Sequence, residues 1–477
     1  MAYKRVVILG GGPVGLLCAI EAKQQNFREV TIVEKRGAYT RLNVPQLSPE
    51  LKKHLEGIEG MPKMKHTYGG ASFSQIESPL LRKALSMGVI LLRPYLVKGL
   101  RGSSEMRNER YKHIVLTVQE CEPDGKKVTS TSVSKEIKAN LLIVATGGGA
   151  AEDPLITKIL GFDYQKLSPE SYMAYGIFKK TKPVGDPEIT DDMFKAYESI
   201  AKRGGICFKT ADYQYMLSSL SGISRSDFEL LKQDQKILEQ LIVALKRADT
   251  KTTGVREEIK NVKNKLYAFK VDIQRARQLV SRTYPCVLVG DSAVTPHPDT
   301  GMGYAAGFRG YKEVKALLEK LAKTTRPDDD SAAFQSFNDL YEVAVSEKAL
   351  EGTVAICENN IGLLESYRSH LKQFTTQSNS ALGTAFQIDL EIVDELIANL
   401  NMYREYADYF KHYYTLQTKE NWEPLQWIHG PSQLWDEMEF TWKIIDNITR
   451  HKPLLKPQLE ALQKAIVVDE ILPFSSL

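Results

Sequence analysis

The stretch "RVVILGGGPVG", residues 5–15, joins an apolar run of strand length to a glycine-rich turn. Residues 14–24 then have the composition of a helix, and "EVTIV", residues 29–33, is a second strand-like run. Strand, helix and strand in this order form a βαβ unit, which predicts a parallel sheet. The sequence therefore predicts an α/β fold organised around its first residues.

The glycine-rich turn has the spacing of a dinucleotide-binding site. Gly10 permits a tight turn, Gly12 lets backbone N–H groups approach a pyrophosphate, and Gly15 allows close packing of the helix on the strand. Glu34 closes the second strand 19 residues after Gly15. Its carboxylate can accept hydrogen bonds from both hydroxyls of a ribose. We therefore expect a Rossmann-like domain of the GR2 type that binds the adenosine half of a dinucleotide.

A second ligand-like strand end occurs far along the chain in "VLVGDSAVTPHPDTGMG", residues 287–303. Asp291, at the end of an apolar strand, can accept a hydrogen bond from a ribityl hydroxyl. Residues 301–303 begin a helix whose N-terminus favours negative charge, as on the pyrimidine edge of a reduced flavin. A nicotinamide dehydrogenase does not need this distant contact, whereas an extended FAD does. The two stretches together predict FAD as the cofactor.

The motifs resemble flavoproteins of the p-hydroxybenzoate hydroxylase type and, among them, the MICAL monooxygenases. Those families show an early GxGxxG and a late GD…P…GxG, and both are present here. MICAL-like proteins follow the second strand with Glu-Lys-Arg and, four residues later, Arg-Asn-Asn-Val; this chain has "EKRGAYTRLNV", residues 34–44. "SFSQIESPLLRKALSMGV", residues 72–89, resembles a helix of the same proteins. The resemblance covers residues 3–92 and 284–318.

This resemblance implies roles for several side chains. Arg36 and Arg41 would lie near the FAD phosphates, Asn43 near the isoalloxazine, and Gln75 against the cofactor. Asn43 and His297, the titratable ring nearest the inferred flavin edge, are the candidate catalytic residues. The full set of predicted cofactor-binding residues is Gly10, Gly12, Pro13, Val14, Gly15, Glu34, Lys35, Arg36, Arg41, Asn43, Gln75, Thr146, Gly147, Gly290, Asp291, Pro298, Gly301, Met302 and Gly303.

One departure from the hydroxylase pattern concerns the reductant. Hydroxylases of this type carry Asp-Gly after a buried strand, in a motif associated with FAD and NADPH contacts. This chain has Thr146-Gly147 in "LIVATGGGAAEDP". The resemblance implies a FAD-dependent monooxygenase with NAD(P)H as a transient reductant, whereas Thr146 argues against the NADPH contacts of such hydroxylases and keeps open a flavin oxidase or dehydrogenase without oxygenation. The third interpretation is an effector protein that uses the FAD fold as a scaffold.

Composition sets further bounds. A net charge of +4 over 477 residues does not indicate nucleic acid or membrane binding. The five cysteines show no CxxC pair, which predicts neither a metal site nor a disulfide framework and suits a reducing, cytoplasmic setting. No apolar run reaches the length of a membrane span. A secreted effector with a signal at its C-terminus stays compatible with these features.

The chain divides into five predicted segments. Residues 1–164 form the first part of the FAD domain, 165–225 a small β-sheet substrate domain, 226–283 an inserted helical hairpin, 284–325 the completing part of the FAD domain, and 332–477 an all-α region. Residues 229–282 carry 13 Lys and Arg against seven Asp and Glu. The hairpin is therefore a candidate docking surface for an acidic protein partner, as are the C-terminal helices. The substrate is a small molecule or a protein side chain.

Overall fold

A computed structural model describes most of the chain up to residue 405. The described ranges are 4–41, 47–63, 71–107, 110–123, 134–166, 171–181, 207–209, 215–223, 258–271, 274–296, 303–324 and 330–341, with shorter stretches and single positions between them. They fall into two compact units. The first takes in the described parts of 1–168 and 272–352, and the second those of 169–271 and 353–408.

The secondary structure alternates strands and helices at the start of the chain and is rich in strands afterwards. The strands are β1 (Arg5–Leu9), β2 (Glu29–Val33), β3 (Ile90–Leu92), β4 (Tyr95–Gly102), β5 (Met106–Arg107), β6 (Arg110–Tyr111), β7 (Ile114–Glu120), β8 (Lys135–Ala139), β9 (Leu141–Val144), β10 (Tyr164–Lys166), β11 (Ser171–Thr181), β12 (Cys207–Lys209), β13 (Tyr215–Ile223), β14 (Glu258–Val271), β15 (Gln274–Ala276), β16 (Cys286–Leu288) and β17 (Val294–Thr295). The helices are α1 (Pro13–Gln24), α2 (Pro49–Glu56), α3 (Phe73–Ser86) and α4 (Gly303–Lys323).

A parallel sheet forms the centre of the first unit. Among the described strands its order is β16-β9-β1-β2-β3. Its strands are mostly apolar because helices cover the sheet: β9 is completely buried, and α1 packs against both α3 and α4. The predicted βαβ unit is confirmed, with β1 and β2 at the predicted residues. All five strands therefore direct their C-terminal ends to the same edge, where a ligand site is expected in such folds.

Antiparallel pieces surround this sheet. β4, β7 and β8 form one such sheet, β10, β15 and β17 form another, and β5 pairs with β6. The short helical turns Gly148–Glu152 and Gly290–Ser292 follow β9 and β16 directly. Two of the chain's candidate ligand-binding corners thus come after adjacent strands.

The second unit contains the antiparallel sheet β12-β13-β11-β14. Here one prediction is wrong: residues 258–271 of the expected helical hairpin 226–283 form β14, which pairs with β11. The spacing of Ile259, Val262, Leu266 and Phe269 fits a helix, but the segment is also rich in β-branched and aromatic residues. Pairing with β11 decides between the two. The sheet therefore extends beyond the predicted boundary at 225, and the proposed basic helical docking face has no support in this segment.

The first unit also extends further than predicted at both of its joins. The chain returns to it at residue 272, before the predicted 284, since β15 pairs with β10 and β17. The described positions between 330 and 405 are all helical, and the helix over 330–341 belongs to the first unit and contributes Phe334, Phe337 and Tyr341 to its core. Residues 406–477 of the predicted all-α region lie outside the described residues.

Helices long and apolar enough to cross a membrane do not occur in the described part of the chain.

Candidate functional site

A cavity of about 430 Å³ lies in the first unit, where the strands of the parallel sheet end. Ligand sites commonly have volumes of this order. Its walls come from the glycine-rich turn, the end of β2, the start of α3, the corner after β9, the corner after β16 and the start of α4. The topology therefore brings the two separate stretches singled out in the sequence to one cavity.

The glycine-rich turn has the geometry predicted for it. Gly10 has φ +101°, and a Cβ there would stand 2.3 Å from the carbonyl oxygen of Ala145. A Cβ on Gly15 would stand 2.1 Å from the carbonyl oxygen of Gly10, so the helix meets the strand at close range. Gly12 precedes α1, and a Cβ on Gly12 would have the Arg41 guanidinium as its nearest neighbour, at 3.7 Å. Gly12 thus leaves room at the N-terminus of α1, where an anion is favoured.

Glu34 is buried at the end of β2 and is held by the protein itself. Its Oε2 accepts the N–H of Gly11 at 2.7 Å and Arg36 Nη2 at 3.0 Å; its Oε1 accepts the N–H of Arg36 at 2.8 Å and Arg36 Nε at 2.9 Å. Burial favours the neutral acid, but these bonds and the charge of Arg36 hold the pKa of Glu34 below its usual value. Glu34 is therefore a carboxylate anion that accepts hydrogen bonds, and its charge is paired with the Arg36 guanidinium.

Arg41 lies against the start of α3 and pairs with Glu77. Its Nη2 donates to Glu77 Oε1, its guanidinium stands 4.5 Å from the centre of the Phe73 ring, and its Nε has no partner. Glu77 is completely buried, with Arg36 Nη1 at 3.7 Å from Oε1. Burial raises the pKa of Glu77, although Arg41 and Arg36 oppose the rise. A cation is thus placed at the cavity wall beside a carboxylate that favours protonation.

The corner after β16 presents Asp291 to the cavity. Burial raises the pKa of the Asp291 carboxyl to about 6, and the charge of Arg41 opposes that rise. The preceding Gly290 has φ +60°, and its N–H donates to the hydroxyl of Tyr341 at 2.5 Å. Tyr341 is completely buried, and its ring fills the space beside Gly310, where a Cβ would stand 2.5 Å from it. The helix over residues 330–341 therefore supports the corner that carries Asp291.

The corner after β9 is tied to the corner after β16. The backbone N–H of Gly147 donates to Ser292 Oγ at 2.9 Å, and Thr146 Oγ1 lies 3.3 Å from the same oxygen. Ser292 is completely buried. Thr146, the residue that departs from the hydroxylase pattern, thus contacts Ser292 and helps to connect the corner after β9 with the corner after β16.

The predicted cofactor-binding residues fall into three groups. The following line the cavity: Gly10, Gly12, Pro13, Val14, Gly15, Glu34, Lys35, Arg36, Arg41, Thr146, Gly147, Gly290, Asp291 and Gly303. Gln75 does not line it: its side chain accepts the N–H of Ser72 at 2.8 Å and closes a capping box at the start of α3. Asn43, His297, Pro298, Gly301 and Met302 lie outside the described residues, so their roles stay predictions.

Among the residues that shape the site, Glu77, Ser292, Tyr304 and Tyr341 were not predicted. A sequence signal exists for Glu77, which occupies the apolar stripe of α3 formed by Phe73, Leu80 and Ala84. Tyr304 directly follows the GMG sequence, and its position in the first turn of α4 could have indicated that it lines the cavity. The contact of Tyr341 with Gly290 joins residues 51 positions apart, and nothing local in the sequence indicates it.

Buried polar atoms without partners test whether the cavity suits a FAD molecule. Within the described residues, Arg41 Nε and Tyr304 Oη are such atoms, and both residues line the cavity. Buried donors of this kind are costly unless a ligand or water completes them. Around Gly147 and Gly149 a Cβ would meet nothing within 4 Å. Unsatisfied donors, open glycines and a helix N-terminus together suit an extended anionic cofactor.

The polar groups of the described residues offer no site for a metal ion made of three or more His, Cys, Asp or Glu side chains.

Comparison with known proteins agrees with this architecture. Residues 4–183 match the model of the pyridine nucleotide-disulphide oxidoreductase family. No curated protein matches the sequence at a significant level. Among solved structures, the flavin-dependent brominase Bmp2 is 12% identical and superposes with a TM-score of 0.52, over 94% of this chain and 99% of that chain. OxyS anhydrotetracycline hydroxylase from Streptomyces rimosus is 14% identical, with a TM-score of 0.49 over 93% of this chain and 76% of that one.

At these identities the likeness to solved structures concerns the fold. The predicted fold class is confirmed: an α/β chain with a parallel sheet and a Rossmann-type domain. Residues 4–183, which include β1, α1 and β2, are therefore similar to the pyridine nucleotide-disulphide oxidoreductases, in agreement with the predicted oxidoreductase.

Proposed function

We propose that the protein is a FAD-dependent monooxygenase that takes electrons from NAD(P)H and oxygen from O2. The observation that carries the cofactor part is the single cavity that joins the glycine-rich turn, Arg41 and Asp291. Support for oxygenation comes from the MICAL-like run of residues 34–44 and the late GD…P…GxG motif. The bound flavin would supply the redox and oxygen chemistry, and the protein supplies position, electrostatics and exclusion of water.

Different walls of the cavity would hold different parts of the cofactor. Glu34 would accept the hydroxyls of the adenosine ribose, and the N-terminus of α1 with Gly12 would hold the pyrophosphate. Arg41 lies next to Gly12 and would pair with a phosphate oxygen, because a guanidinium recognises phosphate through two parallel hydrogen bonds. Asp291 would accept a ribityl hydroxyl. The isoalloxazine would then lie toward the start of α4.

Two residues hold this arrangement in place without touching the cofactor. Tyr341 fixes the Gly290 N–H, and Ser292 joins the Thr146-Gly147 corner to the corner of Asp291. A reacting ring requires walls fixed to a fraction of an ångström. These contacts are buried, so water cannot replace them easily.

The alternative is a flavin oxidase or dehydrogenase that needs no NAD(P)H. Thr146 favours it, because the aspartate that hydroxylases carry at this corner is replaced by a hydroxyl bonded inside the protein. A carboxylate there would meet the buried Ser292. The substrate in either case is a small molecule or an amino-acid side chain.

The absorbance spectrum of the purified full-length chain tests the proposal first. A flavin spectrum, with NADPH-dependent consumption of O2, is the expected result. A colourless protein that binds no added FAD contradicts the cofactor assignment. Anaerobic bleaching by a candidate substrate in the absence of NADPH would favour the oxidase or dehydrogenase instead.

Two variants link the spectrum to the cavity. Asp291→Ala should lose bound flavin, whereas Asp163→Ala, at an exposed carboxylate paired with Arg277, should retain it. Equal flavin content in both variants would contradict the proposed position of the ribityl chain.

A further inference from the structure

Glu77 is an unusual neighbour for an anionic cofactor. It is completely buried, it lies on the apolar face of α3, and only one of its two carboxylate oxygens is paired. Oε1 receives Arg41 and has Arg36 at 3.7 Å, whereas Oε2 has no hydrogen-bond partner. A buried carboxylate is stable as an anion only while its cations remain beside it.

Arg41 serves two sites at once. Its Nη2 contacts Glu77 and also lies nearest to the open face of Gly12, where the pyrophosphate of the cofactor is proposed to bind. A phosphate beside Gly12 would therefore meet the same nitrogen, Nη2, that donates to Glu77. A full contact with phosphate weakens the ion pair that holds Glu77 in its charged form.

The charges around Glu77 are balanced before the cofactor arrives. The positive charges of Arg36 and Arg41 offset the negative charges of Glu34 and Glu77. Tyr39 and Tyr304 lie near Glu77 and are neutral phenols. A pyrophosphate brings about two further negative charges into this buried space. Of the two carboxylates, Glu34 keeps four hydrogen bonds, which favour its anion. Glu77 is the one whose burial already favours protonation.

We propose that Glu77 gives up Arg41 to the pyrophosphate of the cofactor and takes up one proton from solvent as the cofactor binds. This inference rests on the cofactor position proposed above. Oε2 is the atom with free lone pairs for the proton, and the resulting O–H is a donor where the anion offered only acceptors. Glu77 is thus a positioning residue that makes cofactor affinity depend on pH.

The direct test is the number of protons bound on titrating the full-length apoprotein with FAD. Calorimetry in two buffers of different ionisation enthalpy, at several pH values from about 7 upward, should give a net uptake of up to one proton per FAD bound. Over the same range the Kd for FAD, measured by flavin fluorescence, should rise with pH, by up to about tenfold per pH unit. The range starts above 6, because Asp291 titrates near there and lines the same cavity.

Variants separate Glu77 from the other groups. Glu77→Gln keeps the shape of the side chain and should bind FAD with no proton uptake and a Kd that does not change with pH. Glu136→Gln, at an exposed carboxylate paired with Arg101, should keep the wild-type slope.

Three results would overturn the inference. Wild-type protein that binds FAD with no proton uptake contradicts it without any variant, and so does a Glu77→Gln protein that keeps the wild-type slope. Protein that binds no FAD at any pH removes the proposed cofactor site itself, and the inference falls with it.

Discussion

Replacing Tyr341 with phenylalanine removes one oxygen from the core and leaves every carbon in place. The ring would still fill the space beside Gly310, but the N–H of Gly290 would lose its acceptor. Both groups are buried, so water does not easily substitute. A buried donor left without a partner costs about 1–3 kcal/mol. We expect Tyr341→Phe to lower the free energy of unfolding of the apoprotein by this amount.

Urea denaturation followed by circular dichroism measures the loss. The midpoint should fall while the slope of free energy against urea stays unchanged, because the surface exposed on unfolding is the same. Tyr284→Phe is the matched control, because no hydrogen bond of the Tyr284 hydroxyl occurs among the described residues. Its free energy of unfolding should stay within about 0.5 kcal/mol of the wild type.

Hydrogen exchange gives a second, local measurement. The amide of Gly290 should exchange faster in Tyr341→Phe, while amides in β9 keep their protection. If the variant unfolds at the wild-type midpoint and Gly290 remains protected, then the tyrosine hydroxyl does not hold this corner and the reasoning is wrong.

Further predictions concern the glycine turn and Asp291. Gly10→Ala places a Cβ against the carbonyl of Ala145 at a φ that alanine disfavours, so it should cost about 2–5 kcal/mol in unfolding free energy, measured by urea titration. Gly12→Ala meets only the Arg41 side chain, so stability should change by less than about 0.5 kcal/mol while FAD binds more weakly; equal destabilisation by both variants would contradict the packing described. The Asp291 carboxyl binds its proton more tightly in the folded state, with a pKa of about 6 against the usual 3.8, so the folded apoprotein holds more protons than the unfolded chain between these values. Its stability should therefore fall, by up to about 3 kcal/mol, as pH rises through this window, and Asp291→Asn should remove that part of the decline; identical pH profiles would refute the assignment.

The central sheet was predictable because its signals are local. β1 and β2 are mostly apolar runs that end at a glycine turn and at Glu34, and their last four residues are buried. β4 was missed since Lys98, Gly99 and Arg101 interrupt its alternation, and the strand has an irregular register between Val97 and Gly99. The pattern alone favoured a helix over residues 258–271, and pairing with a distant strand decided otherwise.

The candidate site divides in the same way. Its glycines and Glu34 follow from short motifs in which each residue has a local geometric purpose. The ion pair of Arg41 with Glu77 depends on how a loop returns to α3, 36 residues later. Contacts of this kind are set by tertiary packing, which residue spacing does not encode.

The order of the parallel sheet has a consequence for the making of the protein. β16 is its terminal strand and pairs with β9, yet the chain between them holds much of the second unit. At a synthesis rate of about 5–20 residues per second, β16 is made on the order of ten seconds after β9, and one edge of β9 is unpaired during this time. Tyr341 leaves the ribosome later still. A nascent chain can thus form the glycine-rich turn and Glu34 early, whereas the Asp291 corner of the cavity gains its contact with Tyr341 only after the helix over 330–341 has emerged.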